Sequence, residues 1–297
     1  MSTETASFGA GKREGHDARR FYARRMLRPT PPGRPGPPVA PPLEALDRLI
    51  CRSSESMAEL PDDCVALMVT SPPYNVGKDY DGDLSLEEYL GLLRRVLQET
   101  HRVLEPGGRV AVNVANLGRR PYLALNHRVA ALLEDLGFLL RGEIVWQKAQ
   151  GAGGSCAWGS WRSARNPTLR DVHEYVVVAS KGSFRRLRLG EDTISRQEFL
   201  EATVSVWNIA PASARRIGHP APFPVELPRR LIELYSFRED LVLDPFMGSG
   251  STAVAAVESG RHFVGYETEP AYLEIARARV AAAQGSAPPP AEGVSSP

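Results

Sequence analysis

Four consecutive residues, Ser71-Pro72-Pro73-Tyr74, bring together a hydroxyl, two rigid carbonyl-bearing units and an aromatic ring. Such a group can accept hydrogen bonds from an amine and stack on a flat ring, which is what chemistry on the exocyclic amino group of a nucleobase requires. The run before it, Cys64-Val-Ala-Leu-Met-Val69, has the length and apolarity of a buried strand. The prolines fix φ and offer no N–H, so the strand must stop at Ser71 and leave through a stiff, extended turn. The four residues therefore fall at the C-terminal end of a strand, the edge at which open α/β sheets bind ligands. Taken alone, they also fit a simple proline turn leaving a core strand.

A second stretch, Leu241-Val-Leu-Asp244-Pro245-Phe246-Met247-Gly248-Ser249-Gly250-Ser251-Thr252, reads as strand, glycine turn and helix start. Glycines there let the backbone approach a ligand, and the helix N-terminus adds donors and the positive end of a dipole for a carboxylate. A phosphate-binding loop is the rival reading, but the Gly-Lys-Ser/Thr of that motif is missing. Glu267 ends the next expected strand, Val264-Gly-Tyr-Glu267. An acid in that place can accept both hydroxyls of a ribose, or can simply cap the helix expected to begin at Pro270.

Together the two stretches resemble those of the amino-directed DNA methyltransferases, which make N4-methylcytosine or N6-methyladenine from S-adenosylmethionine. The proline motif precedes the glycine turn here, an order similar to the β arrangement of that family, whose chain is permuted relative to most methyltransferases. The resemblance runs from about Leu46 to Val280. It implies S-adenosylmethionine as cofactor, held by Asp244, Pro245, Phe246, Gly248, Ser249, Gly250 and Glu267. The segment His219-Pro-Ala-Pro-Phe-Pro224 resembles the family element that closes over the methionine end. One departure stands out: many relatives carry Gly-Asp where this chain reads Cys51-Arg52-Ser53-Ser54.

The resemblance also implies a mechanism. An exocyclic amine is a poor nucleophile because its lone pair conjugates into the ring. Acceptors at the Ser71 side chain and the Pro72 carbonyl would draw the nitrogen toward tetrahedral geometry, with Pro73 stiffening the turn and Tyr74 stacking on a base flipped out of the duplex. Methyl transfer is then direct displacement, carried by positioning and electrostatics with no covalent enzyme intermediate and no metal. Family members with Ser at the first position are mostly N4-cytosine enzymes, and those with Asp or Asn mostly N6-adenine enzymes, so the resemblance implies cytosine. Methylation of RNA or protein is a competing reading, but those enzymes usually place Asn-Pro-Pro-Tyr after the cofactor motif. A non-catalytic DNA-binding protein of the same fold is another.

Composition is consistent with this. The 297 residues, 42% hydrophobic and 24% charged, suit one large soluble α/β domain or two small ones. Net charge is near zero, yet residues 1–42 carry eight Lys/Arg against three acids and residues 148–217 carry eleven against six. Basic patches of that size permit phosphate contacts. Cys51, Cys64 and Cys156 have neither metal-ligand nor disulfide spacing, and read as reduced thiols of a cytoplasmic protein. No apolar run reaches membrane length and no secretory leader is apparent, so a cytoplasmic, nucleoid-associated protein is expected. The implied partner is double-stranded DNA; a cognate restriction endonuclease and a homodimer are compatible with the reading.

The elements that must position these residues follow from periodicity. Alternating strands and helices imply a doubly wound, mostly parallel, helix-covered sheet over residues 43–284. Strands are expected at Leu46–Cys51, Arg109–Ala115, Glu143–Trp146, Glu174–Ala179, Leu241–Leu243 and His262–Tyr266. A short helix is expected at Ser54–Leu60, and a longer one opened by a Ser85/Glu88 capping box and ended by Pro106-Gly107-Gly108. Further helices are expected at Tyr122–Leu136, Ser195–Ala202, after Phe223, at Ser251–Ser259 and at Pro270–Ala283. The Pro-rich basic segment 1–42 and the tail 285–297 are too poor in apolar surface to pack. Residues 149–217 break the α/β rhythm and carry Trp158, Trp161, Arg162, Arg165, Arg185, Arg186 and Arg188. They read as a target-recognition insertion that contacts DNA through stacking and arginines, or else as a long surface insertion.

Overall fold

The computed structural model describes residues 36–74, 84–118, 121–148, 159–160, 162–169, 171–213, 217 and 222–286. Residues 1–35, the polar loop after Tyr74, Trp158, Trp161, His219 and the C-terminal tail from 287 lie outside the described residues. Eight strands form one sheet: β1 Arg48–Cys51, β2 Val65–Thr70, β3 Leu104–Val114, β4 Phe138–Gln147, β5 His173–Lys181, β6 Val206–Asn208, β7 Leu241–Asp244 and β8 His262–Glu267. Their order is β1-β8-β7-β2-β3-β5-β4-β6. Every neighbouring pair is parallel except those made by β5, which is antiparallel to β3 and β4.

Six α-helices accompany the sheet among the described residues: α1 Leu86–Val103, α2 Leu125–Asp135, α3 Arg196–Ala202, α4 Glu226–Tyr235, α5 Ser251–Glu258 and α6 Pro270–Ser286. None is long and apolar enough to cross a membrane. Two cores result, one on each sheet face. Tyr89, Leu93, Val96 and Leu97 of α1 and Leu125, Val129 and Leu133 of α2 pack with Val65, Met68, Val110 and Val112. Leu227, Leu231 and Ile232 of α4, the alanines of α5 and Ala276 and Val280 of α6 pack with Leu67, Val69, Ala111 and Val178. Alternation along β2 and β3 divides their side chains between the two cores, and residue 71 continues the row of Leu67 and Val69.

Local chemistry explains where elements begin. Ser85 caps α1 through the expected capping box: Glu88 N–H donates to Ser85 Oγ (3.2 Å) and Ser85 N–H to Glu88 Oε2 (2.8 Å). Ser195 and Glu198 repeat the device at α3. Three expectations are corrected. Ser54–Leu60 forms turns, because its polar groups find tertiary partners: Ser54 Oγ donates to Pro245 O (2.8 Å) and Met57 N–H to Glu99 Oε2 (2.9 Å). Pro106-Gly107-Gly108 lies within β3, at a register shift against β2, and α1 has already ended at Val103. Gly107 has φ +78°, and a Cβ there would lie 2.0 Å from the Arg185 carbonyl oxygen. The packed chain also begins before Leu43, since Val39 N–H donates to Asp63 O (2.9 Å).

From β2 the chain moves to β3 on one side, and from β7 it moves to β8 on the other, while β2 and β7 are neighbours with Leu67 opposite Val242. That junction is the topological switch point, and ligands bind outside the carboxyl ends of strands there. Ser71 follows one of those two strands and Asp244 ends the other.

Candidate active site

Beyond the buried strand β2, Ser71, Pro73 and Tyr74 are half-buried and Pro72 is buried. Ser71 Oγ lies 3.1 Å from the Tyr74 hydroxyl, which donates to Glu174 Oε2 at 3.1 Å. Asn113 Nδ2 lies 2.6 Å from the same Glu174 oxygen, 3.2 Å from the Tyr74 hydroxyl and 3.3 Å from Ser71 Oγ. Lys148 Nζ forms an ion pair with Glu174 Oε1. Burial and the Glu174 charge push the Tyr74 hydroxyl well above its ordinary pKa, so it stays protonated. Ser71, Asn113, Glu174 and Lys148 come from or just beyond the carboxyl-edge ends of β2, β3, β5 and β4, four neighbouring strands, on one sheet face. Sequence reading missed Asn113, Glu174 and Lys148. Their one signal was a polar residue breaking each apolar strand pattern near its end.

The glycine turn sits beside this row. Gly248 has φ 51° and Gly250 has φ 82°. A side chain at Gly250 would meet Ala276 of α6 at 2.9 Å, so the turn lies close against that helix. Glu267 Oε2 accepts from Gly248 N–H (2.8 Å), while Oε1 accepts from the N–H groups of Thr268 (2.8 Å) and Glu269 (2.9 Å). Phe246, Gly248 and Glu267 are half-buried and are the parts of the turn that reach the surface.

Three other residues expected to contact the cofactor, Asp244, Pro245 and Ser249, also have partners within the protein. Asp244 is fully buried and accepts from Thr70 Oγ1 (2.6 Å), Thr252 Oγ1 (2.6 Å) and Phe246 N–H (3.0 Å). Burial pushes its carboxyl up to about 6 against those donors. Pro245 is buried with its carbonyl held by Ser54, and the buried Ser249 hydroxyl is held by Arg279 Nη1 (3.1 Å). These partners hold the turn from beneath. The chain departs from the Gly-Asp pattern at this same place: Ser54 ties residues 51–54 to the turn, and Arg52 N–H donates to Glu267 O (2.9 Å).

The expected DNA-contacting residues separate into two groups. The loop between β4 and β5 opens at the carboxyl edge. It carries Arg162 and Arg165, both exposed, on a tight turn in which Ser160 N–H donates to Asn166 O (2.9 Å) and Asn166 N–H to Ser160 Oγ (2.7 Å). Arg185, Arg186 and Arg188 lie at the opposite edge, for a topological reason: β5 runs antiparallel, so the chain leaves it away from Ser71. Lys181 there pairs with Asp63, which precedes β2 (2.6 Å). Arg186, with 7% of its side chain exposed, pairs with Glu105 (2.6 Å) and Asp240 (2.5 Å). Arg188 pairs with Glu105 (3.2 Å) and donates to Val39 O (2.9 Å). These two guanidiniums serve the fold, and Arg185 is exposed beside them.

The glycine turn and the polar row around Ser71 thus adjoin at one switch point. Over residues 65–278 the chain matches the DNA methylase family that comprises the N6 and N4 enzymes, and it belongs to that family. It is 30% identical over 275 residues to the Type II methyltransferase M.MthZI of Methanothermobacter thermautotrophicus, covering 80% of this chain and 77% of that one. It is 31% identical to the Type II methyltransferase M.ScaI of Streptomyces caespitosus, covering 77% and 79%. A putative DNA modification methylase of Thermus thermophilus, solved with S-adenosyl-L-methionine, superimposes with a TM-score of 0.64 at 29% identity, covering 80% of this chain and 93% of that one. The cytosine-N4-specific PvuII DNA methyltransferase shares the fold, with a TM-score of 0.62 at 20% identity, covering 78% and 85%. The protein is a DNA methyltransferase, and its cofactor is S-adenosylmethionine.

Proposed function

We propose that this DNA methyltransferase modifies the exocyclic N4 amine of cytosine at a specific site in duplex DNA, after the base has been flipped out. The observation that carries the reading is Ser71 at the head of the proline motif, with its Oγ at the switch point between Tyr74 and Asn113. A hydroxyl can accept a hydrogen bond from the amine and turn its own hydrogen elsewhere. Two acceptors, Ser71 Oγ and the Pro72 carbonyl, would draw the amine nitrogen out of conjugation. Pro73 fixes the turn, and the Tyr74 ring offers a face to the base.

Phe246, Gly248 and Glu267 would hold the cofactor, with Gly248 allowing close backbone approach and Glu267 accepting from the ribose hydroxyls. When bound, the cofactor supplies a methyl group on a sulfonium. The chain's own part is to orient the amine, exclude water and order the hydrogen bonds around it. His219 is assigned to the methionine end. Trp158, Trp161, Arg162 and Arg165 are assigned to sequence reading, and the basic tail to phosphate attraction. A nucleoid-associated cytoplasmic protein, homodimeric and paired with a cognate endonuclease, belongs to the same reading.

Mass spectrometry of nucleosides from DNA treated with the protein tests the proposal. N4-methylcytosine is expected, and N6-methyladenine as the sole product would reverse the base assignment. Methylation-sensitive sequencing of the same DNA gives the site.

A further inference from the structure

We propose that Glu174, held by Lys148, is a positioning residue that sets the direction of the hydrogen bonds at Ser71, turning a lone pair of its hydroxyl toward the substrate amine. The inference rests on the reading of Ser71 as the amine acceptor.

Glu174 is 6% exposed and shares an ion pair with Lys148. An ionised carboxylate can only accept, so the Tyr74 hydroxyl, 3.1 Å from Oε2, must donate to it. The single Tyr74 proton is then used, and its oxygen can only accept from Ser71, 3.1 Å away. Ser71 thereby turns its one hydrogen to Tyr74. Asn113 Nδ2 gives one hydrogen to Glu174 (2.6 Å), and its second lies between the Tyr74 hydroxyl (3.2 Å) and Ser71 Oγ (3.3 Å); given to Ser71, it takes one lone pair and leaves the other for the amine. Take away the Glu174 charge and the chain can run either way, including one that points the Ser71 hydrogen at the donor it should receive. Burial makes the choice strong, because hydrogen bonds in a low-dielectric site reinforce one another. Packing alone does not call for this ion pair, since apolar residues of similar size are commonly as stable. Its placement three hydrogen-bonding groups from the amine gives it a use.

Single-turnover methyl transfer from S-adenosylmethionine to duplex DNA carrying the methylated site tests this with the full chain, together with the KM for DNA and calorimetric cofactor affinity. Glu174→Gln, whose amide can donate to Tyr74 and reverse the chain, should slow the chemical step roughly ten- to a hundredfold. Cofactor affinity and KM should stay near wild type. Tyr74→Phe, which keeps the ring and removes the link, should slow it similarly. The double variant should be no slower than the slower single, because both break one chain. Glu174→Asp should recover part of the rate. Should Glu174→Gln fail to fold, Lys148→Met/Glu174→Gln removes both charges and is read in the same way. Glu174→Gln at the wild-type rate, or singles whose effects multiply in the double, would overturn the proposal. Ser71→Ala at the wild-type rate would overturn the acceptor reading beneath it. A slow Ser71→Ala beside a normal Glu174→Gln removes the Glu174 assignment alone.

Discussion

Thr70, the last residue of β2, donates its hydroxyl to Asp244, the last residue of β7, at 2.6 Å. The other Asp244 oxygen accepts from Thr252 of α5 at the same distance. One buried carboxylate therefore ties the strand that leads into the proline motif to the glycine turn and the helix after it. Thr70→Val keeps the shape and removes one donor from a buried acceptor, so it should cost about 1–3 kcal/mol of folding free energy. Denaturant unfolding checks this; a change below a few tenths would show that the tie is dispensable.

Asp244 also predicts a pH dependence. Its carboxyl, pushed up to about 6 from 3.8, keeps a proton in the folded state that the unfolded chain has released between those values. The sign follows: stability from this group is greatest below the lower value, falls as pH rises toward about 6, and is level above. Asp244→Asn removes the titration. The unfolding free energy of wild type minus that of the variant should fall by up to about 3 kcal/mol across that window. Equilibrium unfolding of both proteins over a pH series gives the difference, and a flat difference would sink the assignment.

Gly248 and Glu267, the residues proposed to hold the cofactor, are joined by one hydrogen bond. Gly248→Val introduces a β-branched residue at φ 51° and should abolish cofactor binding by crowding the approach. Glu267→Ala should weaken it by about 1–3 kcal/mol, since ribose hydroxyls lose their acceptor. Isothermal titration with S-adenosylmethionine measures both. Unchanged affinity in two folded variants would remove this site.

The arginines should divide by edge. Arg186→Ala leaves Glu105 and Asp240 buried without their shared cation, a loss of about 3–5 kcal/mol in stability. Arg162→Ala and Arg165→Ala should leave stability near wild type, because both side chains are exposed. One of them should cost about 1–3 kcal/mol in binding at the methylated site and little on unrelated DNA. Thermal unfolding and competition binding separate the two outcomes.

Deleting residues 1–35 stops short of Val39, which packs against Asp63. The shortened protein should bind all DNA sequences more weakly, with a flatter salt dependence, and methylate the same site. A changed methylation site would mean that the tail reads sequence.

Much of the molecule was legible in the chain because local rules decided it. The Ser85/Glu88 capping box, the prolines that end β2, the glycine turn and the acid that closes β8 are each set by residues a few positions apart. Order along the chain also revealed that the proline motif precedes the cofactor motif. What lay beyond sequence reading depended on strands distant in sequence lying side by side. Asn113, Glu174 and Lys148 meet Ser71 only because β3, β5 and β4 follow β2 in the sheet. The links of Asp244 to Thr70 and Thr252 likewise join residues of different elements. Arg162 and Arg186 belong to one basic stretch, yet they part to opposite edges because β5 runs against its neighbours. Composition and spacing give residue types and local turns; the direction of a single strand decides which edge a charge occupies, and only packing sets that direction.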